Sequence, residues 1–386
     1  MNKQLKRISA LLAATLAFAG CSYYLSNAYQ AQKKQRGHET VYDRIQAGKS
    51  ISYLVVGDSI GRGSGASSHS YKWFKQLEHK MLQANATAMR GNQIVQSGAT
   101  AFEGLFKLQT TKQEYPGKYD LVFVVFGEND RKYMNAHEFG VLYEALIRKI
   151  KVFYPKADII TVTENPLRNQ AFIEAIETIS AHYQASNVNM AEAFRATGKA
   201  PASLTKDGVH PNDEGYTIYA GELYKQLMAN TRQKKKIAGL TRPLFKDSDI
   251  TFDLYTGVTK QKGFLNTDNY YTSETKGSYI EFPFYGSLLG IKLLRSPAGG
   301  QIKVLIDGKY YTTVSTWWPF QRERYIYIAS GLSPGKHTVR FEATGESSKN
   351  NISNKALIQL SSVIMTKKIE GKPLLDSKPY NHFKIK

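Results

Sequence analysis

Four short segments of the 386-residue chain carry side chains that could work together on an acyl carbonyl. Gly57-Asp58-Ser59-Ile60-Gly61 places a serine on a Gly-x-Ser-x-Gly turn after an apolar run. A serine on a sharp turn at a strand end is exposed, and backbone N–H groups there can receive a developing oxyanion. Asp207-Gly208-Val209-His210-Pro211 spaces a carboxylate and an imidazole three residues apart on a Gly/Pro loop. A serine hydroxyl needs a base, and the base needs a carboxylate to fix its tautomer and stabilise the imidazolium. Gly127-Glu128-Asn129-Asp130 follows the most apolar run, so Asn129 could aim its amide at an oxyanion, a role worth about 3–4 kcal/mol. Gln96-Ser97-Gly98-Ala99-Thr100-Ala101 offers Gly98 with an unobstructed backbone N–H. Taken singly, each has a plain reading: a turn, a surface ion pair, or a helix cap at Asn129 or Asp130.

The elements around these segments decide between the readings. Ser52–Gly57, Gln93–Gln96, Asp120–Phe126, Asp158–Thr163 and Val188–Met190 read as strands. Asp120–Phe126 is a continuous apolar run, as expected of a strand covered on both faces. Helical spacing of apolar residues marks Tyr71–Gln83, Ala136–Phe153, Phe172–His182 and Thr217–Met228. Strands alternating with helices predict an α/β domain with a parallel sheet, and ligands bind such sheets at the carboxyl ends of the strands. The Ser, Gly and Asn segments all fall at such ends.

Chain order narrows the chemistry further. Ser59 precedes Asp207 and His210, which excludes the chymotrypsin and subtilisin arrangements. Only one strand precedes Ser59, which argues against an α/β-hydrolase elbow. The four segments in this order resemble the SGNH (GDSL) hydrolase family over roughly residues 50–230. The resemblance implies a flavodoxin-like three-layer α/β/α domain with Ser59 as nucleophile and first oxyanion donor. Gly98 would be the second donor and Asn129 the third, with His210 as base and Asp207 as its orienting acid. The block around Gly98 departs from the family's pattern, with Gln96 in place of Asn and Ala101 in place of the last Gly. No metal and no cofactor are implied.

After Arg232-Gln233-Lys234-Lys235-Lys236 the texture changes. Short runs rich in β-branched and aromatic residues alternate with turns, which predicts an all-β sandwich. Asp307-Gly308 between two alternating runs is a hairpin signal. The division is therefore 1–28 signal or anchor, 29–49 tether, 50–231 catalytic domain, 232–245 basic linker, 246–370 β-sandwich and 371–386 tail. The second domain resembles the jelly-roll, carbohydrate-binding type modules that accompany glycan esterases of this family. Trp317 and Trp318 are its candidate sugar platform, although adjacent strand residues face opposite ways, so at most one can serve.

The N-terminus points to export. Lys3, Lys6 and Arg7 precede the apolar run Ile8–Gly20, and Cys21, the only cysteine, follows in Phe18-Ala19-Gly20-Cys21. That string resembles a bacterial lipobox, which makes Cys21 a candidate lipid attachment point; an uncleaved anchor and simple cleavage are the other readings. One cysteine excludes an intramolecular disulfide framework and a cysteine zinc cage. The formal charge of +20 calls for an anionic partner. For an exported chain that partner is a lipid surface or an acidic wall polymer, not nucleic acid. The expected activity is removal of O-acetyl groups from a cell-surface or extracellular polysaccharide. An O-acetyltransferase, a lipase or thioesterase, and a non-catalytic glycan-binding protein are the alternatives.

Overall fold

The computed structural model describes residues 39–115 and 117–367. Cys21, the apolar segment before it and the tail after 367 lie outside the described residues. Among the described residues no helix is long and apolar enough to cross a membrane.

The first domain is built on five parallel strands, β1 (Ile51–Gly57), β2 (Met89–Val95), β3 (Leu121–Val125), β4 (Asp158–Thr163) and β5 (Ser186–Asn189), in the order β2-β1-β3-β4-β5. β3 and β4 are buried along their whole length, as a two-faced central strand requires. Among the described residues seven α-helices flank the sheet: α1 (Val41–Gln46), α2 (Trp73–Asn85), α3 (Ala101–Thr110), α4 (Ala136–Phe153), α5 (Gln170–His182), α6 (Met190–Ala196) and α7 (Asp213–Arg232). α4 spans the predicted residues and is fixed at its start by a capping box between Asn135 and Glu138. α3 and α6 have no counterpart among the helices expected from the sequence; α3 is buried on most sides.

Two segments expected to be solvated belong to this domain instead. Residues 41–46, placed in the tether, form α1 with Val41, Tyr42 and Ile45 buried. Tyr42 hydrogen-bonds Asp158, accepts from Asn230 at 2.7 Å, and Lys235 pairs with Asp158 at 2.8 Å. The basic run therefore supplies a counter-ion to a buried carboxylate. The stretch after it lies along α4 as a strap: the Ala238 and Thr241 carbonyls accept from Lys151 and Arg148, each at 2.8 Å. Glu144 accepts from the backbone of Leu244 and Phe245. Backbone polar groups that find partners on a helix do not stay in solvent.

The second domain is an antiparallel sandwich of a five-stranded and a six-stranded sheet. Its strands are β6 (Phe252–Tyr255), β7 (Lys260–Lys262), β8 (Leu265–Thr267), β9 (Tyr270–Ser273), β10 (Tyr279–Tyr285), β11 (Leu289–Arg295), β12 (Gly300–Ile306), β13 (Lys309–Ser315), β14 (Arg322–Ala329), β15 (Lys336–Ser347) and β16 (Ile358–Thr366). Alternating buried and half-exposed residues along β12 give one face to the core. Asp307 (φ +50°) and Gly308 (φ +78°) join β12 to β13. Left-handed backbone at both central residues is what a type I′ hairpin demands.

One hydrophobic core cluster runs through both domains, while the sandwich keeps a core of its own. Phe102 and Phe106 of α3 pack on Phe252, Tyr325 and Tyr327, with the Phe106 and Tyr325 ring centroids 4.3 Å apart. Gly290 admits the Phe102 ring, because a Cβ there would lie 2.2 Å from it. Beside these rings Arg324 of β14 pairs with Glu103 of α3 at 2.8 Å, and both side chains are 1% exposed. Removing one partner of such a pair strands a charge in low dielectric. Glu103→Ala is therefore expected to lower unfolding free energy by about 3–5 kcal/mol, read by denaturant titration of the full chain. A loss below about 1 kcal/mol would show that the pair does not carry the interface.

Candidate active site

The site sits at the carboxyl ends of β1 and β3, and glycines set its geometry. Gly57 and Gly61 face each other across the turn after β1: a Cβ on Gly61 would lie 3.1 Å from the Gly57 Cα. This close approach lets the chain reverse so tightly that Ser59 stands at the turn's apex. Asp58 holds the turn from below, its Oδ1 accepting from the Ile60 N–H at 2.7 Å. Gly65 (φ +103°) admits the loop that carries His210; a Cβ there would lie 2.3 Å from the Pro211 carbonyl oxygen.

Ser59 and the Asp207–His210 loop, 151 residues apart, meet here. The Ser59 hydroxyl lies 2.9 Å from His210 Nε2, and His210 Nδ1 lies 2.7 Å from Asp207 Oδ2. A carboxylate only accepts, so Nδ1 carries the proton and Nε2 is free to accept from Ser59. Asp207 Oδ1 accepts from the backbone of Val209 and His210. Partial burial opposes its ionisation, but the backbone and imidazole donors outweigh that and hold its carboxyl below the ordinary range. The arrangement can take a proton from a serine hydroxyl and return it to a leaving group.

Ser59, His210, Gly98, Asn129 and Trp318 line one cavity of about 540 Å³. Gly98 takes φ +71°, a conformation that favours glycine. Asn129 donates its Nδ2 to Asp58 Oδ2 at 2.6 Å, which fixes the amide plane and leaves a second N–H. Asp130 acts as a cap, but of α3 and not of its own helix: its Oδ1 accepts from Ala101 N at 2.8 Å. A larger groove of about 1290 Å³ runs between α2 and α7, with Tyr71, His79 and Thr217 among its walls. It contains no residue of the Ser59–His210–Asp207 relay, so the chemistry belongs to the smaller cavity.

The two tryptophans part company. Trp318 lines the cavity, and its ring edge would lie 3.3 Å from a Cβ on Gly98. Trp317 is not among the cavity's walls; its backbone bridges Ser296. Behind Gly98, Arg324 donates from Nη2 to the Gly98 carbonyl at 3.0 Å while pairing with Glu103. Arg295, from the end of β11, also lines the cavity.

Sequence reasoning missed Glu103, Glu164, Arg295 and Arg324. Glu164 lies just beyond β4, fully buried, hydrogen-bonded to Asp58 and accepting from the Glu128 N–H at 2.8 Å. Its position at a strand end was the available signal. Burial pushes the Asp58 and Glu164 carboxyls upward, Glu164 further because the Asp58 charge adds to it. The two share a proton under the nucleophile turn. Burial likewise pushes Asp130 up to about 7.

A folded-state pKa above the ordinary carboxyl value adds stability at low pH that is lost as pH rises through about 7. Asp130→Asn keeps the acceptor for Ala101 and abolishes the titration. Its thermal midpoint is expected to fall less than that of the unmodified chain between about pH 4 and pH 8, by scanning calorimetry. Identical slopes would show that Asp130 does not bind its proton more tightly when folded.

Comparison with known proteins agrees with this architecture. Residues 55–218 match the GDSL-like Lipase/Acylhydrolase family, and residues 265–355 match the Carbohydrate esterase 2 N-terminal family. No curated protein sequence matches the chain significantly. Across both domains the fold is similar to that of a two-domain esterase active on acetylated mannans, crystallised with mannopentaose. The TM-score is 0.65 at 19% identity, covering 85% of this chain and 94% of that one. A second crystal structure of a two-domain esterase so described gives the same TM-score and coverage at 18% identity. The chain therefore pairs a domain of the GDSL-like Lipase/Acylhydrolase family, residues 55–218, with a second of the Carbohydrate esterase 2 N-terminal type, residues 265–355.

Proposed function

We propose that the protein is an exported, membrane-tethered esterase that removes O-acetyl groups from a polysaccharide through an acyl-enzyme on Ser59. The observation that carries this reading is the Ser59–His210–Asp207 relay on the floor of a cavity whose wall includes Trp318 of the second domain. His210 takes the Ser59 proton as Ser59 Oγ adds to the ester carbonyl. The backbone N–H groups of Ser59 and Gly98 and the second amide N–H of Asn129 receive the oxyanion. The tetrahedral species collapses, the C–O bond to the sugar breaks, and His210 protonates the departing hydroxyl. Water then adds to the acyl-enzyme, His210 taking its proton, and acetate leaves as the proton returns to Ser59.

The glycan assignment draws on three supports. The second domain matches a carbohydrate esterase family, and the similar two-domain esterase acts on acetylated mannans. The Trp318 indole on the cavity wall gives a pyranose ring an apolar edge to lie against. Export and tethering rest on the sequence before residue 28, with Cys21 as the lipid attachment point. After loss of Lys3, Lys6 and Arg7 the charge would be about +17, which suits residence beside anionic lipid or an acidic wall polymer.

Acetate release from acetylated mannan, acetylated xylan and acetylated wall polymers tests the reading. Ser59→Ala should cut turnover by about 10³-fold or more, because it removes the nucleophile and leaves only the oxyanion site. Retained activity in that variant, or hydrolysis confined to long-chain esters, would overturn the proposal.

A further inference from the structure

The wall that the second domain contributes to the cavity carries unbalanced positive charge. Arg295 is 7% exposed, lines the cavity, and among the described residues pairs with no carboxylate within ion-pair distance. It hydrogen-bonds Tyr133, and its guanidinium faces the Trp318 ring 5.8 Å from the ring centroid. Its Nε has no hydrogen-bond partner, and neither has the Trp318 indole N–H. Arg324 stands on the same ring at 5.1 Å. Glu103, the carboxylate of this cluster, is already shared by Arg324 and Lys107. Arg322 is satisfied by the neutral Gln96 amide at 3.0 Å. Across the cavity Lys132 adds a further cation, with Glu128 divided between it and Arg131. Asp207 is engaged by His210.

A buried guanidinium without a counter-ion is costly, and so is a buried N–H without an acceptor. Arg295 is further pressed by Arg324, and burial with that repulsion lowers its pKa to about 10. Two unpartnered donors, one of them on a buried guanidinium that no carboxylate faces, call for a ligand group that is anionic and rich in acceptor oxygens.

We infer that Arg295, with the Trp318 indole N–H, forms a subsite for an oxyanion on the glycan, so that the preferred substrate is an acidic acetylated polysaccharide. This rests on the glycan-esterase reading and names its substrate class. The anion is a carboxylate of a uronic acid or a phosphodiester between sugars; both supply paired oxygens for a guanidinium fork.

Binding can be measured without turnover, by titrating tryptophan fluorescence of the full chain with oligogalacturonate, inorganic phosphate and a neutral manno-oligosaccharide. At least one of the two anionic probes should bind about tenfold or more tighter than the neutral one, with affinity falling as salt rises. Tighter oligogalacturonate assigns the subsite to a uronate, and tighter phosphate assigns it to a phosphodiester. Arg295→Gln should abolish the anionic advantage, and Arg295→Lys should restore part of it. Acetate release should then favour the acidic acetylated polymer over acetylated mannan in the unmodified chain but not in Arg295→Gln. Equal binding of neutral and anionic probes would overturn the subsite. So would an Arg295→Gln chain that keeps the preference, or one that loses both substrates alike. Failure to release acetate from any glycan would instead overturn the esterase reading, while the titration still reports on the subsite.

Discussion

The arrangement depends on one buried ion pair. Arg324 reaches out of the second domain, binds the Glu103 carboxylate on α3 and donates to the carbonyl of Gly98. That contact ties three things together: the sandwich, the helix after the Gly98 loop, and the loop itself. Each charge has lost its water, so each depends on the other. The aromatic packing around Phe102 and Phe106 supplies the apolar area, but it is non-directional. The ion pair and the carbonyl contact give the interface its register. The oxyanion role proposed for Gly98 requires its loop to be held to a fraction of an ångström, and a contact from the second domain holds it.

The same economy appears beneath the nucleophile. Asp58 accepts from Asn129 and from the turn backbone, and shares a proton with Glu164, which in turn accepts from Glu128 N–H. Ser59 sits on the loop after β1, Glu128 and Asn129 on the loop after β3 and Glu164 just beyond β4, and this carboxyl pair stitches the three together. Isolated buried carboxylates would be expelled or neutralised. A shared proton neutralises one of them and turns repulsion into a hydrogen bond. The relay above it, by contrast, is half open to solvent, which suits a base that must exchange protons with substrate and water.

Much of this was legible in the sequence. The Gly-Asp-Ser-Ile-Gly turn, the Asp-x-x-His loop, and the strands at 120–126 and 158–163 carry local signals: glycines at tight approaches, apolar runs buried on both faces, and short spacing. Asp307-Gly308 announced its hairpin for the same local reason. What escaped was long-range. Glu103 and Arg324 are 221 residues apart and look like ordinary helix and strand charges until the domains meet. Glu164 reads as a polar residue after a strand. Residues 41–46 and 236–245 read as solvated because their polarity is evident and their partners are not. Trp317 and Trp318 look alike in the sequence, and which of them reaches the cavity is set by the path of the chain after β13, not by the dipeptide.

The central claim is that a nucleophile on the first domain works in a cavity completed by the second. The most direct measurement is kcat/KM of Trp318→Ala on an acetylated oligosaccharide, compared with p-nitrophenyl acetate. The account predicts a loss of about 10- to 100-fold on the oligosaccharide, mostly in KM, and a much smaller loss on the ester that has no sugar. Equal effects on both substrates, or none on either, would contradict it.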